Sequence, residues 1–478
     1  ADVANLNNAN GQITQTGTGD TTINLTSPTS TFNNTGGNLA TNSANLNLIT
    51  NTLINNDGKI QHAGVDTLHI AANTLNDQRG KIVSNTALVI DAGVIDHRSA
   101  STTAKNITLT GTSLNNNQGE IVQTGNGAMA MSITQGLDNT AGTLASNGKL
   151  TVDAQSLTNN QGQVSALGDL TVNLNATQTA GAPQNAGALS NLQGLMAANG
   201  NIAITAASVD NTLGTLASVD KNISVTTTGT TTNDSGKIQA ALDITLTNAG
   251  LSNTRTANTL ATSTSPYGSI IGRNIDINTN TQTLDNSGGT VAANQSANLQ
   301  TGALSNDGGL IQTGKDLVIN THGQSLTNTH AANYTSSNTA LNGKGGIASQ
   351  GTSTFTTGNL NNDAGYIGSQ GVLTANTANI NNTLGGQIQG LANLTLTASN
   401  GTTIGTINNT GGLIRSAATA ALSAGTVTNS NTLSTTPTSS NTNLGIEGKD
   451  VSIATAMLSN NSGAIRADNN ITITSAGT

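Results

Sequence analysis

Apolar and polar residues alternate in short stretches that return about every 20 residues along the chain. The most regular stretches contain an apolar residue, any residue, Asn, two further residues, Gly, any residue and a second apolar residue. Residues 114–121 (LNNNQGEI) and 157–164 (LTNNQGQV) have this form. A fixed period of this length is typical of repeat proteins, so the pattern predicts one repeated unit along the whole chain. The units begin at Leu6, Phe32, Leu53, Leu75, Val94, Leu114, Leu137, Leu157, Leu189, Val209, Thr231, Leu251, Leu284, Leu304, Leu326, Leu360, Ile380, Ile407, Val427 and Leu458.

A second alternating segment closes each unit, as at 170–172 (LTV) and 394–396 (LTL). Alternation with a period of two predicts short β-strands, with aliphatic side chains on one face and Thr, Ser or Asn on the other. No helical spacing of apolar residues persists, so we expect almost no helix. The unit is too short for a propeller blade or an ankyrin repeat and has too few Leu positions for a leucine-rich repeat. The pattern therefore predicts an all-β fold, a parallel β-helix (β-solenoid) of about 20 coils whose strands pair in parallel with those of the next coil.

The recurring Gly and Asn have different expected roles. The Gly is expected at a corner with positive φ, which Gly adopts at low cost. The Asn is expected to stack on its counterparts, with side-chain amides hydrogen-bonded along the stacking direction. Asp77 and Asp96 replace this Asn in two units, and unit 94–113 lacks the Gly–Ile step and should be irregular. The predicted structural ladder contains Asn55, Asn116, Asn139, Asn159, Asn211, Asn306, Asn362 and Asn460.

Three insertions, 254–268, 329–346 and 430–445, interrupt the repeat between the Asn and the Gly. Because they share one position in the unit, we expect these loops on one face, where they could contact a partner. Tyr267 and Tyr334 lie in two of them and are candidate contact residues. The alternative is that polar loops are tolerated there without a role. We expect 1–478 to be a single continuous β-helix and an internal fragment of a longer protein, because the pattern is already running at both ends.

Composition narrows the function classes. Charged residues make up 8% of the chain, the net charge is −8, and no Lys/Arg cluster occurs, so nucleic-acid binding is not expected. No stretch approaches 18 consecutive apolar residues, so the sequence predicts no membrane span. The chain has no Cys, so it requires neither an oxidising nor a reducing compartment.

Few side chains could supply chemistry. Asp77–Arg79 and Asp96–Arg98 are expected in matching positions of successive coils, which gives either a charge-paired ladder or two carboxylates for acid–base catalysis or cation binding. The spacing of the five His residues matches no metal-ligand pattern. Motifs of hydrolases, zinc proteases, phosphate-binding loops and calcium repeats do not occur. We therefore expect no enzyme activity, no catalytic or metal-binding residue and no cofactor.

The alternative function is that of a carbohydrate-binding or carbohydrate-cleaving β-helix protein. Such proteins need acidic clusters in a groove and usually aromatic platforms for sugar rings. The chain has three Tyr, two Phe and no Trp. This scarcity argues against a sugar-stacking track, although it leaves the Asp pair as the feature that polysaccharide turnover would test.

Units such as 137–153 (LDNTAGTLASNGKLTVD), 157–173 (LTNNQGQVSALGDLTVN) and 304–320 (LSNDGGLIQTGKDLVIN) resemble filamentous-haemagglutinin repeats. Such repeats occur in large two-partner-secretion exoproteins of Gram-negative bacteria, including adhesins and contact-dependent growth-inhibition effectors. The resemblance covers nearly the whole chain. It implies a right-handed parallel β-helix, export through an outer-membrane partner transporter, and a filament on the bacterial cell surface. The family's secretion domain, receptor-binding domain and toxic C-terminus have no matching motif here, so no functional residue is carried over.

The repeat and the resemblance together predict a secreted or surface-attached structural and adhesive filament. Such a filament would project a distal binding or toxic domain from the bacterium, or contact a receptor on a host or neighbouring cell with its own flank. Its mechanism would be mechanical, because contacts between neighbouring coils give reach and stiffness.

Overall fold

The computed structural model describes residues 3–174, 187–254, 268–331, 346–399, 405–433 and 444–475. Within these ranges the chain consists of strands and turns, with no helix, and therefore no helix that could cross a membrane. The fold is an all-β parallel β-solenoid of about 19 turns, which confirms the predicted fold class. The chain divides into two compact units, Ala1–Gly229 and Thr230–Thr478. Tyr267, Tyr334 and most of the three predicted contact loops lie outside the described residues.

The strands of the first unit follow one another around each turn, and most of them are short. They are β1 (Asn5–Asn7), β2 (Gln12–Gln15), β3 (Thr21–Asn24), β4 (Thr31–Asn33), β5 (Asn38–Thr41), β6 (Leu46–Ile54), β7 (Lys59–His62), β8 (Thr67–Asn76), β9 (Lys81–Asp96), β10 (Ser101–Asn115), β11 (Glu120–Gln123), β12 (Met129–Asp138), β13 (Thr143–Ser146), β14 (Leu150–Thr158), β15 (Gln163–Ala166), β16 (Leu170–Asn173), β17 (Ala188–Ser190), β18 (Leu195–Ala198), β19 (Ile202–Ala206), β20 (Ser208–Asp210), β21 (Thr215–Ser218) and β22 (Ile223–Thr227).

The second unit repeats this arrangement. Its strands are β23 (Thr231–Thr232), β24 (Lys237–Ala240), β25 (Ile244–Thr247), β26 (Leu251–Ser252), β27 (Ser269–Gly272), β28 (Ile275–Asn278), β29 (Leu284–Asp285), β30 (Thr290–Ala293), β31 (Ala297–Gln300), β32 (Leu304–Ser305), β33 (Leu310–Thr313), β34 (Leu317–Asn320), β35 (Leu326–Thr327), β36 (Gly346–Ser349), β37 (Ser353–Asn361), β38 (Tyr366–Ser369), β39 (Leu373–Asn381), β40 (Gln387–Gly390), β41 (Leu394–Ala398), β42 (Thr406–Asn408), β43 (Leu413–Ser416), β44 (Thr419–Thr428), β45 (Gly445–Ser459) and β46 (Ile465–Thr474).

Each turn has three faces, which we call the first, second and third face in the order in which they follow the recurring Gly. In the turn that begins at Asn139 and contains Gly142, β13 forms the first face, and β14 forms the second face and then the third. All three pair in parallel with the following turn: β13 with β15, and β14 with both β16 and β17. The pairing brings equivalent residues together, as in Leu144 opposite Val164. The sequence period is therefore the length of one turn.

Stacked aliphatic side chains form the core of each unit. In the first unit Leu150 lies opposite Leu170, and in the second Leu373 lies opposite Leu394, and all four are fully buried. Burying a Leu or Ile stabilises the fold by about 1.5–3 kcal/mol. A turn contributes only a few such residues, while ordering each residue of its backbone costs about 1–2 kcal/mol. A single turn is therefore unstable alone, and neighbouring turns must stabilise one another.

The sequence repeat that was predicted to begin at Val94 begins one residue later in the structure. Ile95 is 1% exposed and pairs with Leu75 before it and Leu114 after it, whereas Val94 is 49% exposed. The unit therefore begins at Ile95, and Asp96 points outward opposite Asn76. Parallel stacking places the larger Ile side chain in the interior, and this choice overrides the spacing that the sequence alone suggests.

Candidate functional site

A continuous column of polar side chains lies inside each unit, at the turn between the third face and the first. We call it the buried ladder. Among the described residues it has ten positions in the first unit, Asn8, Asn34, Asn55, Asp77, His97, Asn116, Asn139, Asn159, Asn191 and Asn211. It has ten in the second, Asn233, Asn253, Asn286, Asn306, Asn328, Asn362, Asn382, Asn409, Asn429 and Asn460.

The amides of the buried ladder all point in the same direction. Nδ2 of Asn116 donates to Oδ1 of Asn139 at 2.7 Å, and Nδ2 of Asn139 donates to Oδ1 of Asn159 at 2.7 Å. Nδ2 of Asn139 also donates to the carbonyl oxygens of Gly142, in its own turn, and Gln163, in the next. Each Asn therefore accepts from the turn before it and donates to the turn after it. Because buried polar groups are costly unless paired, this arrangement links neighbouring turns strongly.

All eight Asn residues predicted for the ladder belong to it. Seven of them, Asn55, Asn116, Asn139, Asn159, Asn211, Asn306 and Asn362, are fully buried. Asn460 accepts from Nδ2 of Asn429 at 2.7 Å but is itself exposed. The remaining Asn positions of the ladder have the same sequence signal, an apolar residue two positions earlier, except Asn233, which follows Thr231. The amide bonding predicted from the repeat is therefore present between successive Asn residues of both units.

The recurring Gly of the sequence repeat has a different role from the predicted one. The residue before it adopts positive φ, with +56° at Asp57 and +53° at Ala141, whereas Gly58 and Gly142 do not. A Cβ on Gly142 would lie 2.2 Å from the carbonyl oxygen of Asn116 and 2.7 Å from Oδ1 of Asn139. The Gly is therefore required because the buried ladder passes too close for any side chain.

Asp77 and His97 interrupt the run of amides in the first unit. Asp77 was predicted in this column, but its successor is His97 and not Asp96, because of the register at Ile95. Nδ2 of Asn55 donates to Oδ1 of Asp77 at 2.6 Å, and Nδ1 of His97 lies 2.7 Å from Oδ1 of Asn116. Both side chains are almost completely buried. Burial raises the pKa of Asp77 to about 8 and lowers the pKa of His97 to about 4.

The two predicted Asp–Arg pairs do not form a carboxylate pair. Arg79 donates from Nε and Nη2 to Asp57 in the preceding turn, and Arg98 donates in the same way to Asp96 in its own turn. These hydrogen bonds hold the pKa values of Asp57 and Asp96 below the ordinary range of a carboxyl group. The predicted matching positions are therefore wrong, because Asp77 is interior while Asp96 is on the surface.

We expect Arg79→Gln to leave the thermal unfolding midpoint of the chain unchanged at physiological salt. The side chains of Arg79 and Asp57 are 60% and 49% exposed, so water and salt screen their attraction. A large drop in the midpoint, measured by circular dichroism with the wild-type chain alongside, would show that this pair holds the turns together.

A second, exposed column of polar side chains lies at the corner between the first face and the second. We call it the corner ladder. Nδ2 of Asn201 donates to Oδ1 of Asp169 at 3.1 Å, and Nδ2 of Asn222 donates to Oδ1 of Asn201 at 3.1 Å. In the second unit Nδ2 of Asn274 donates to Oδ1 of Asp243 at 2.8 Å. The sequence prediction missed these contacts, although Asp or Asn directly before the second face was a visible signal.

The histidines form separate contacts in the described part of the chain. His62 is buried, with Nε2 2.9 Å from the carbonyl oxygen of Ser43 and Nδ1 3.2 Å from Oγ of Ser84. His69 pairs with Asp91 at the surface, and His330 pairs with Asp307. Among the described residues no group of three or more His, Asp or Glu side chains is arranged to hold a metal ion.

Comparison with known proteins yields no match to a protein-family description, to a curated protein or to a solved structure. The parallel β-solenoid rests on the structure itself. The resemblance of the units to filamentous-haemagglutinin repeats stays a prediction from the sequence.

Proposed function

We propose that this chain is the structural and adhesive part of an extracellular bacterial filament. It would project a distal binding or toxic domain from the cell surface, or contact a receptor with its own flank. The observation that carries the proposal is the buried ladder, because it links each turn to the next with hydrogen bonds that run along the stacking direction. Because its buried polar groups bond successive turns to one another, we expect the stack of turns to form a long support that resists extension.

The mechanical argument applies within each unit. Parallel strands in neighbouring turns lie about 4.8 Å apart, so each added turn extends the stack by about that distance. Backbone hydrogen bonds on three faces and one buried amide contact join each regular pair of turns, as between the turns of Asn139 and Asn159. Opening one interface requires breaking these bonds together, which favours stiffness over gradual extension.

Export by two-partner secretion is part of the same proposal. One support is the resemblance of repeats such as 157–173 to filamentous-haemagglutinin repeats. The other is that the chain has no Cys and consists of similar turns, so we expect it to fold turn by turn after it crosses a membrane. The expected partners are an outer-membrane transporter and a receptor on a host or neighbouring bacterial cell. Folding outside the cell would then help to draw the remaining chain outward.

Deletion of one whole turn is the sharpest test of a scaffold function. Removing 139–158 joins Asp138 to Asn159 and restores the pattern of apolar residue, any residue, Asn, with Gly162 in place. We expect this variant to keep a cooperative thermal transition and the wild-type level of binding of the labelled chain to bacterial or epithelial cells. Removing only 139–148 should abolish both, because half a turn puts every following side chain out of register.

Two outcomes would contradict the proposed function. Binding to cells that disappears in the folded one-turn deletion would point to a local site in 139–158. Turnover of an acidic or neutral polysaccharide by the wild-type chain, lost on Asp96→Ala, would favour the carbohydrate-active alternative. Asp96 is the suitable residue because it is on the surface, whereas Asp77 is buried.

A further inference from the structure

The buried ladder requires a hydrogen-bond donor and an acceptor at every position, and Asp77 and His97 do not supply both in the way that Asn does. Each position accepts a hydrogen bond from the turn before it and donates one to the turn after it, and Asn can do both. Asp77 accepts from Asn55, but an ionised carboxylate has nothing to donate. The ladder therefore needs a proton at or next to Asp77 to keep its direction.

The tautomer of His97 follows from its neighbour. Nδ2 of Asn116 already donates onward to Oδ1 of Asn139 at 2.7 Å, so Oδ1 of Asn116 is the acceptor that faces His97. Nδ1 of His97, 2.7 Å away, must then be the protonated donor. This leaves Nε2 as the atom that faces the preceding turn.

One hydrogen-bond donor is missing between the side chains of Asp77 and His97. Oδ2 of Asp77 is buried without a hydrogen-bond partner and lies 3.5 Å from Nε2 of His97. Nε2 also lies 2.8 Å from Oγ1 of Thr102, a buried residue in the column where its neighbours are Ile82 and Ile121. Three polar replacements, Asp for Asn, His for Asn and Thr for Ile, therefore meet at one place inside the first unit.

We propose that Asp77 and His97 share one proton between Oδ2 and Nε2, and that loss of this proton at alkaline pH locally opens the turns between Asn55 and Asn116. With the proton present, the pair has no net charge, whether it exists as two neutral groups or as an ion pair. Without it, a carboxylate is buried with no opposite charge and with Oδ2 unpaired, which is strongly destabilising. The pair is a pH-sensitive element in an otherwise pH-insensitive column of amides.

Other titratable groups lie on the elements around the pair, and of those named below all except His62 are at or near the surface. Asp96 is held by Arg98 and by Gln78, and Asp57 is held by Arg79. The outward positions of the first face carry charges in the neighbouring turns, and His62 and His69 belong to the two preceding strands. The titratable groups on the adjoining strands and turns include Asp57, Lys59, His62, His69, Arg79, Lys81, Asp96, Arg98 and Glu120.

The pH range follows from the sign of each shift. The pKa of Asp77 is raised from 3.8 to about 8, so between these values the folded chain holds a proton that the unfolded chain has lost, and stability falls as pH rises. The pKa of His97 is lowered from 6.5 to about 4, so between these values stability rises with pH. The two slopes cancel up to about pH 6.5. From there to about pH 8 only the Asp77 slope remains, and the opening equilibrium should shift about tenfold per pH unit.

Four full-length chains test the proposal: wild type, Asp77→Asn, His97→Asn and the double variant. The two chains that carry the His97 change also carry Ala100→Gly, because a ladder Asn comes too close to a Cβ three residues later. Hydrogen exchange by mass spectrometry would be followed between pH 5 and 9 in peptides covering 95–123, relative to reference peptides covering 187–216. We expect wild-type protection to fall only between about pH 6.5 and 8. Protection should rise up to about pH 6.5 in Asp77→Asn, fall over the whole range up to about pH 8 in His97→Asn, and stay flat in the double variant.

A second measurement does not depend on any variant folding. In the wild-type chain labelled with ¹⁵N-histidine, we expect the His97 signal to show a protonated Nδ1 across pH 5–8. A neutral imidazole protonated at Nε2 instead, or an ordinary titration of His97 near pH 6.5, would overturn the proposal. So would a double variant that keeps the wild-type loss of protection between pH 6.5 and 8, because the response would then belong to the surrounding charged groups.

Discussion

Gly142→Ala is expected to destabilise the first unit by about 3 kcal/mol or more, which is the scale of a steric insertion that also breaks buried hydrogen bonds. The new Cβ would lie 2.2 Å from the carbonyl oxygen of Asn116 and 2.7 Å from Oδ1 of Asn139. Real side chains do not approach oxygen this closely, so either the two turns move apart or the amide of Asn139 leaves the ladder. Both responses cost hydrogen bonds between turns.

The adjacent residue supplies the matched control. Ala141 has φ of +53°, so Ala141→Gly removes a left-handed strain of about 1–2 kcal/mol and adds an unfolded-state entropy cost of about 0.5–1 kcal/mol. We expect this variant to be close to wild type in urea unfolding followed by circular dichroism. Hydrogen exchange should locate the damage of Gly142→Ala in peptides covering 116–166. If Gly142→Ala and Ala141→Gly changed the free energy of unfolding equally, backbone flexibility of the turn, and not close approach of the ladder, would be the reason for Gly.

The natural sequence of the first unit already contains a related comparison. Every ladder Asn there, and Asp77 as well, is followed three residues later by Gly, whereas His97 is followed by Ala100. The imidazole of His97 has no Oδ1 at the place where an Asn would approach a Cβ. The exception therefore agrees with close approach to the ladder amide as the reason for Gly.

The fold could be predicted from the sequence because period-two alternation and a fixed repeat length both follow directly from parallel stacking. The role of Gly could not be predicted in this way. A recurring Gly indicates either positive φ or a lack of space, and the two leave the same sequence signal. The residue that does have positive φ varies from Asp57 to Arg79, Ala141 and Leu213, so its conformation leaves no pattern.

The register at Ile95 and the corner ladder were missed for different physical reasons. Val94 and Ile95 are both apolar, and only the stacking of whole turns decides which is interior. The Asp and Asn residues of the corner ladder occur in turns, where these residue types are common for local reasons. Contacts between turns therefore determine both features, and the sequence of one turn does not contain that information.

The two ladders explain where Asp can replace Asn. In the buried ladder donors point toward the following turn, whereas in the corner ladder donors point back toward the preceding turn. Asp169 and Asp243 accept from the following turn in the corner ladder, a role in which an ionised carboxylate is satisfied without donating. Asp77 occupies a position that must also donate forward. This difference is why Asp77, alone among these three, requires a nearby proton.

Asn139→Ala is expected to destabilise the first unit strongly without introducing a steric clash. It removes the acceptor of Asn116 Nδ2 and the donor to Asn159 Oδ1, and both remaining groups are fully buried. A buried polar group left without its partner costs about 1–3 kcal/mol, so we expect a loss of about 2–5 kcal/mol in the free energy of unfolding. Nδ2 of Asn139 also serves two carbonyl oxygens, which adds to the loss.

Asn147→Ala is the control, since Asn147 lies in the same turn and also bonds to the preceding turn, from Nδ2 to the carbonyl oxygen of Thr124 at 2.8 Å. This contact is exposed, so water replaces the lost partner, and the expected change is within about 0.5 kcal/mol. Because turns stabilise their neighbours, Asn139→Ala should also speed hydrogen exchange in the turns of Asn116 and Asn159. Equal effects of the two substitutions would mean that the backbone and the aliphatic stack, without the buried amides, hold successive turns together.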